Sequence, residues 1–307
     1  MQVDRYDNIE SEVTMSAFDI GVLVHLADRD DLFVNVANMG VKVCQLCCWN
    51  MQLYTPEMAR RVKTQSEQSG VEITAVWAGW NGDSVWDFVK GPTTLGIVPV
   101  ELRQMRVAQL KQGADFAEML GVRAIITHLG FIPENPCDQQ YPRIIETVKE
   151  VAQYCRDKGL EFWFESGQET PVTLRRLIED VDMPNLGVNF DTANVVLYGK
   201  GNPLDSAEIF GKYVKNLHAK DGLYPTNPRK LGVEVPIGEG KADFAAIFRT
   251  LKENGFNGEI IIEREISGPQ QIKDIEHAHT YLTACLKDLQ LLPSKIQTEG
   301  IYQELLK

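Results

Sequence analysis

The chain has 307 residues, 44% of them apolar and 24% charged, the proportions of a folded globular protein and not of a disordered or fibrous one. Lys and Arg number 31 against 43 Asp and Glu, a formal net charge of −12. That acidic balance argues against a nucleic-acid-binding surface, which needs clustered basic side chains.

The first fifteen residues, MQVDRYDNIESEVTM, are polar and acidic and carry no charged-then-apolar signal pattern. No apolar run approaches the ~18 residues of a membrane span. The reading is a cytoplasmic protein with no membrane partner and no nucleic-acid partner. Short β-branched apolar runs then alternate with longer amphipathic segments. Residues 20–25 read as a strand and 30–39 as a helix ending at Gly40. Residues 41–48 form the second strand. Thr55 caps a helix with Pro56 at its first position, running to about residue 68 before Gly70. A third strand spans 71–77, and a long helix spans 101–120 before Gly121.

The fourth strand covers 122–128, followed by a helix over 140–158, and the fifth covers 160–165, followed by a helix opened by Thr170 and Pro171. The sixth and seventh strands cover 186–191 and 214–218. A helix over 242–254, an eighth strand over 259–263 and a last helix over 269–286 complete the series. Near-continuous apolar strands indicate a parallel sheet covered on its outer face. Eight strand–helix units predict a single-domain (β/α)8 TIM barrel over residues 17–289, with an N-terminal extension at 1–16 and a C-terminal extension at 290–307. Two insertions, 78–100 and 222–240, fall after strands three and seven, at the end where barrel active sites are built. The tail 291–307 is richer in Leu and Ile than a solvated terminus needs, which points to a homo-oligomer.

Six cysteines are present, and Cys44-x-x-Cys47 has the spacing of a redox or zinc motif. It lies inside a strand-like run with no second pair to complete four ligands. All six therefore read as free thiols.

The strand ends carry the chemistry. Strands five to eight end in Glu165, Asp191, His218 and Glu263, at intervals of 26, 27 and 45 residues. The first two intervals fit one β/α unit each, and the third fits a unit plus the long insertion. All four side chains then point toward the axis at one rim. Three carboxylates there repel one another and resist desolvation unless a cation neutralises them. The set is oxygen-rich and suits one divalent metal ion, Mn²⁺, Mg²⁺, Co²⁺ or Fe²⁺, with Zn²⁺ also compatible.

The segments FESGQETP, NFDTANVVLYGKGNP, HAKDGLYP, EVPIGEGKADF and IIEREISG resemble the sugar phosphate isomerase/epimerase family, which shares the xylose-isomerase-like barrel. The resemblance covers residues 17–289. It implies that Glu165, Asp191, His218 and Glu263 are the metal ligands and that the reaction is reversible proton transfer beside a carbonyl. The implied substrate is a small carbohydrate: a keto sugar, an inosose-type ketone or a sugar phosphate. Ending strands five and eight and so approaching the metal from opposite sides, Glu165 and Glu263 are expected to double as the acid/base pair on the two faces of a planar enediolate. Asn194 stands where ketose 3-epimerases commonly carry a His. With five His in all, the chain lacks what a three-metal endonuclease IV cluster needs.

Expected substrate contacts are His25 and His128 at strand ends, Trp77, Gln168 and Asn194, and Lys220 beside His218. Trp49 and Trp80 read as further wall residues. Glu169 reads as support for the helix start at Thr170, and Arg264 as a structural residue facing away from Glu263. Elimination from a keto sugar or keto-glycoside, by a metal-dependent lyase or dehydratase, is the alternative to epimerisation, with His128, Glu169 or Lys220 as the acid at the leaving oxygen. A phosphodiesterase and a non-catalytic sugar-binding barrel are the remaining alternatives.

Overall fold

A computed structural model describes residues 18–291. The extension at 1–16, and the tail beyond Leu291 on which the oligomer expectation rests, lie outside the described residues. The strands are β1 (Ile20–His25), β2 (Val43–Cys48), β3 (Glu72–Ala78), β4 (Ala124–Thr127), β5 (Glu161–Glu165), β6 (Leu186–Asp191) and β7 (Val214–Ala219), then a hairpin of β8 (Asp221–Leu223) and β9 (Val233–Val235), and finally β10 (Ile260–Ile262). β1 to β7 and β10 close into one parallel barrel, sealed where Ile20 of β1 lies opposite Ile260 of β10. The helices are α1 (Val34–Asn38), α2 (Pro56–Ser69), α3 (Gly91–Thr94), α4 (Val100–Leu120), α5 (Tyr141–Asp157), α6 (Pro171–Val181), α7 (Asn194–Leu197), α8 (Pro203–Phe210), α9 (Phe244–Glu253) and α10 (Pro269–Asp288). The fold is thus the (β/α)8 barrel read from the sequence. No described helix is long and apolar enough to cross a membrane.

Local chemistry accounts for the element ends. Thr55 accepts a hydrogen bond from Met58 N at 3.1 Å, and Gly70 closes α2 in the left-handed region at φ 67°. The helix expected over 30–39 contracts to Val34–Asn38. Phe33 offers no side-chain cap, and Asp28 and Asp30 are drawn instead to Arg61 of α2, at 2.6 and 2.9 Å.

Strand alternation sorts the side chains into two clusters. Cys44, Leu46, Phe162, Phe164, Val188 and Phe190 face outward into the main core beneath the helices. Cys47, Ala75, Trp77, Ala124, Ile126 and Trp163 face inward and fill part of the barrel interior. Gln45, Asn189 and Asn216 are also fully buried, so the interior beneath the strands' C-terminal ends is polar on one side.

Both insertions are fastened from below. Arg106 of α4 is fully buried. It donates to the carbonyls of Thr94 (2.7 Å), Gly96 (2.6 Å), Asp83 (2.9 Å) and Asn81 (3.3 Å), gathering residues 81–96 around one guanidinium. Its carbon also lies 5.1 Å from the Trp80 ring. In the second insertion, the Asp221 carboxylate accepts from the backbone N–H of Gly222, Gly238, Gly240 and Ala242, at 2.9 to 3.0 Å. A Cβ at Gly240 would come within 2.0 Å of Asp221 Oδ1, which explains the glycine of the Gly238-Glu239-Gly240 turn.

Candidate active site

Four strands deliver Glu165, Asp191, His218 and Glu263 to one rim. Glu165 and Asp191 end β5 and β6, and Asp191 lies directly across the ladder from His218 of β7. Glu263 follows β10, whose Ile261 pairs with His218. One donor atom from each lies within 4.8 Å of the others, about twice a metal–ligand bond of ~2.0–2.3 Å. His218 Nδ1 sits 3.3 Å from Glu165 Oε1 and 3.1 Å from Glu263 Oε2. Asp191 Oδ2 is buried without a hydrogen-bond partner. A cation fits this arrangement, because it serves Asp191 Oδ2, takes the Nδ1 lone pair once that nitrogen has lost its proton, and offsets three carboxylates at once.

The tautomer and orientation of His218 follow from a residue outside the expected set. Gln45 Oε1 lies 2.6 Å from His218 Nε2, across the barrel on β2. Its oxygen takes the Nε2–H and so turns Nδ1 toward the carboxylates. With the Asn216 amide oxygen accepting, Gln45 Nε2 donates to it at 3.1 Å, which holds Gln45 in turn. The one strongly polar side chain within Val43–Cys48 was the available signal.

Charge in the cluster follows from burial and neighbours. Burial raises the Glu263 carboxyl, but Lys220 and His218 outweigh it and hold the group well below the usual range. Glu165 is also lowered, as His128 and His218 overcome its burial. Asp191 is raised well above its ordinary value by burial, against the pull of Lys220. Burial alone would depress His218, but Glu165 and Glu263 push it up to about 10. His128 falls below its ordinary value, chiefly through burial, and is a neutral imidazole near pH 7.

A cavity of about 600 Å³ opens above the cluster. Glu165 and Glu263 line it, whereas Asp191 and His218 are fully buried behind them. Of the expected substrate contacts, His25, Trp77, His128 and Asn194 line this cavity. Glu165 is held by three of its neighbours: Trp77 Nε1 donates to Oε2, Asn194 Nδ2 donates to Oε1 at 3.2 Å, and His128 Nε2 lies 3.4 Å from Oε1.

Gln168 and Lys220 lie behind the wall instead. Gln168 is fully buried and both its amide atoms lack hydrogen-bond partners. Lys220 is drawn inward by carboxylates, with Nζ 3.6 Å from Asp191, 3.4 Å from Glu263 and 3.1 Å from Glu265. Glu169 is buried as well, and burial pushes its carboxyl up to about 8. The start of α6 is served by Thr170, which caps Thr173, and by Glu134, which accepts from Thr170 N at 3.0 Å. Arg264 pairs with Glu234 (2.8 Å) and Asp274 (2.7 Å). Trp49 lines the cavity, and Trp80 is packed under it with its N–H on Ser84. Cys47 is the one cysteine on the cavity wall. All six cysteines are free, and burial raises the Cys47 thiol first, with Glu263 and Glu165 adding to the effect.

A closed barrel with an acidic, metal-competent rim defines a class of proteins, and comparison identifies it. Residues 33–285 match the xylose isomerase-like TIM barrel family, and the chain belongs to that family. An uncharacterized protein of Methanocaldococcus jannaschii is 27% identical over 177 residues, which span 53% of this chain and 58% of that protein. An inosose dehydratase of Lacticaseibacillus casei is 23% identical over 274 residues, 73% of this chain and 89% of the relative. The crystal structure of a xylose isomerase domain protein from Planctomyces limnophilus superposes with a TM-score of 0.83 at 34% identity, covering 89% of this chain and 98% of that one.

Proposed function

We propose that this chain is a divalent-metal-dependent isomerase or epimerase acting by proton transfer next to a carbonyl. The substrate on this reading is a keto sugar, an inosose-type ketone or a sugar phosphate. The observation that carries the reading is the split within the cluster: Glu165 and Glu263 face the cavity while Asp191 and His218 lie behind them. Glu165, Asp191, His218 and Glu263 would hold the cation, which when bound supplies the positive charge that polarises a ketone and acidifies the neighbouring C–H.

The protein's own groups then move the proton. One of the two cavity-facing carboxylates takes it from one face of the substrate carbon, leaving a planar enediolate. The first carboxylate gives that proton up to solvent, and the other, having taken one from solvent, returns it to the opposite face and inverts the centre, so no proton is gained or lost over the cycle. Trp77, Asn194 and His128 fix the Glu165 carboxylate on three sides, which keeps it in attacking position. Lys220 offsets the charge of Asp191 and Glu263 from behind.

Elimination is the second reading, favoured by two observations. The inosose dehydratase relative is matched over most of its length. Of the three acid candidates, His128 alone lines the cavity, while Glu169 and Lys220 do not. In that variant the first proton transfer is unchanged. The His128 ring, neutral at rest, then takes the proton that Glu165 has abstracted, its Nε2 lying 3.4 Å from Oε1, and passes it to a β-hydroxyl, which leaves as water.

Deuterium wash-in from heavy water across a panel of keto sugars with Mn²⁺ tests both. Exchange at the carbon beside the ketone is expected, and the product separates inversion from loss of water. Glu165→Gln and Glu263→Gln should each retain some metal and lose at least ~10²-fold in rate. Near-normal turnover in either metal-loaded variant would refute the assigned roles.

A further inference from the structure

Resting on the keto-sugar reading above, we propose that the cavity has two subsites and that its substrate is an uncharged keto-glycoside. The keto ring sits at Glu165 and Glu263, and a second, uncharged ring with an apolar face sits on Trp49 and Trp86 at the mouth.

Size is the first argument. Allowing ~30 Å³ for each atom with its share of space, as for liquid water, the twelve non-hydrogen atoms of a hexose need at most ~360 Å³. The cavity of about 600 Å³ leaves a large part unfilled by one ring.

The second argument is the aromatic wall. It begins at Trp77, whose N–H is bound to Glu165, and continues outward in contact steps. The Trp77 and Trp49 ring centres are 4.8 Å apart, and those of Trp49 and Trp86 are 6.3 Å apart. A parallel path runs from Trp77 to His128 (5.8 Å) and on to Trp86 (5.2 Å). Exposure rises along this wall from 5% at Trp77 to 37% at Trp49 and 39% at Trp86. Large aromatic faces left partly open at a cavity mouth fit a ring with an apolar face. Arg106 holds the segment leading to Trp86 through its backbone carbonyls, so the outer platform is built and not a loose loop. Polar groups of Glu265, Ser267 and Gln271 also line the cavity and are available to ring hydroxyls.

Charge is the third argument. A phosphate ester brings about −1.5 to −2 at neutral pH and requires cations. Arg264 reaches the cavity wall but is committed to Glu234 and Asp274, and Lys220 lies behind the wall among three carboxylates. Glu165, Glu263 and Glu265 line the same space. A single divalent cation leaves that lining short of the positive charge a phosphate needs. An uncharged second ring avoids the conflict.

The test compares four ketones in Mn²⁺-supported deuterium exchange: a keto-hexose, its phosphate ester, and keto-glycosides bearing a phenyl or a glucosyl group. Both or either of the glycosides should exceed the free keto-hexose by about tenfold or more in kcat/KM, and the phosphate ester should fall below it. The phenyl and glucosyl arms distinguish an aryl from a saccharide second ring. Trp86→Ala should cost the preferred glycoside about tenfold more than it costs the keto-hexose, with Trp86→Phe recovering most of the difference. Phenyl β-glucoside, which has no ketone, is titrated in parallel against tryptophan fluorescence. Saturable quenching by it without exchange of any ketone would leave the outer subsite standing and remove the proton-transfer reading. Exchange of the keto-hexose or its phosphate at least as fast as both glycosides, or an equal loss on all substrates in Trp86→Ala, would overturn the two-subsite proposal.

Discussion

Gln45→Leu isolates the contribution of an orienting contact from that of the four proposed ligands. Gln45 and His218 are fully buried and meet through one 2.6 Å contact, in which the amide oxygen takes the imidazole Nε2–H. Leucine is close in size, so the lost quantity is the acceptor. A buried N–H left without one costs ~1–3 kcal/mol. At ~1.4 kcal/mol per tenfold, this corresponds to roughly 5- to 150-fold in an equilibrium constant. The range agrees with the ~10–100-fold losses in metal affinity seen when partners of metal-bound histidines are removed. The expected outcome is a loss of about thirtyfold in Mn²⁺ affinity, read by calorimetry or competition with a chelating dye. Gln45→Glu replaces the acceptor with a stronger one and should bind at least as tightly as the parent. If Gln45→Leu retains its circular dichroism and thermal transition and still binds Mn²⁺ within twofold of the parent, the orienting role is refuted.

Three further outcomes follow from groups already described. Glu165 and Glu263 raise His218 to about 10 against the effect of burial, so the metal-free imidazole is doubly protonated at pH 7.5. Metal binding should therefore expel at least one proton, measured by calorimetry in buffers of different ionisation enthalpy, and zero release would contradict the charge assignment. The raised value also means that the ion-pair stabilisation of the metal-free protein is complete below His218's unfolded value of 6.5 and is lost as pH climbs toward 10. Burial lifts Glu169 from 4.5 to about 8, so the folded state holds a proton that the unfolded chain has released across that window. Stability then falls as pH rises through it, and Glu169→Gln should gain in Tm over the parent between pH 5 and 9; a constant difference would show that Glu169 does not titrate as stated. Arg106→Met strands four carbonyls in residues 81–96 and should cost at least ~3 kcal/mol in denaturant unfolding, whereas a loss under 1 kcal/mol would mean that the loop is held otherwise.

The barrel and the rim cluster were legible in the sequence because both depend on short-range regularity. A strand buried on its outer face reads as a largely apolar run, unbroken over 162–164 and 260–262 but interrupted by Asn189 before Asp191 and by Lys215 and Asn216 before His218, and each of the four runs closes on Glu165, Asp191, His218 or Glu263. Helix ends with a local chemical cause were legible for the same reason, as at Thr55 and Gly70. The start of α1 was not, because its competitor is Arg61, more than thirty residues away.

Which polar residue faces the cavity was decided by tertiary structure alone. Lys220 and Asn194 both follow strand ends, yet three carboxylates draw the Lys220 ammonium inward while Asn194 remains on the wall. Gln45 meets His218 across 173 positions of sequence, through closure of the barrel. Arg106 finds its carbonyls only once residues 81–96 have folded over α4. Strand periodicity acts between neighbours in the chain, so the sequence carries it directly. The direction a long polar side chain takes depends on the charges and unpaired backbone groups that the completed fold brings beside it.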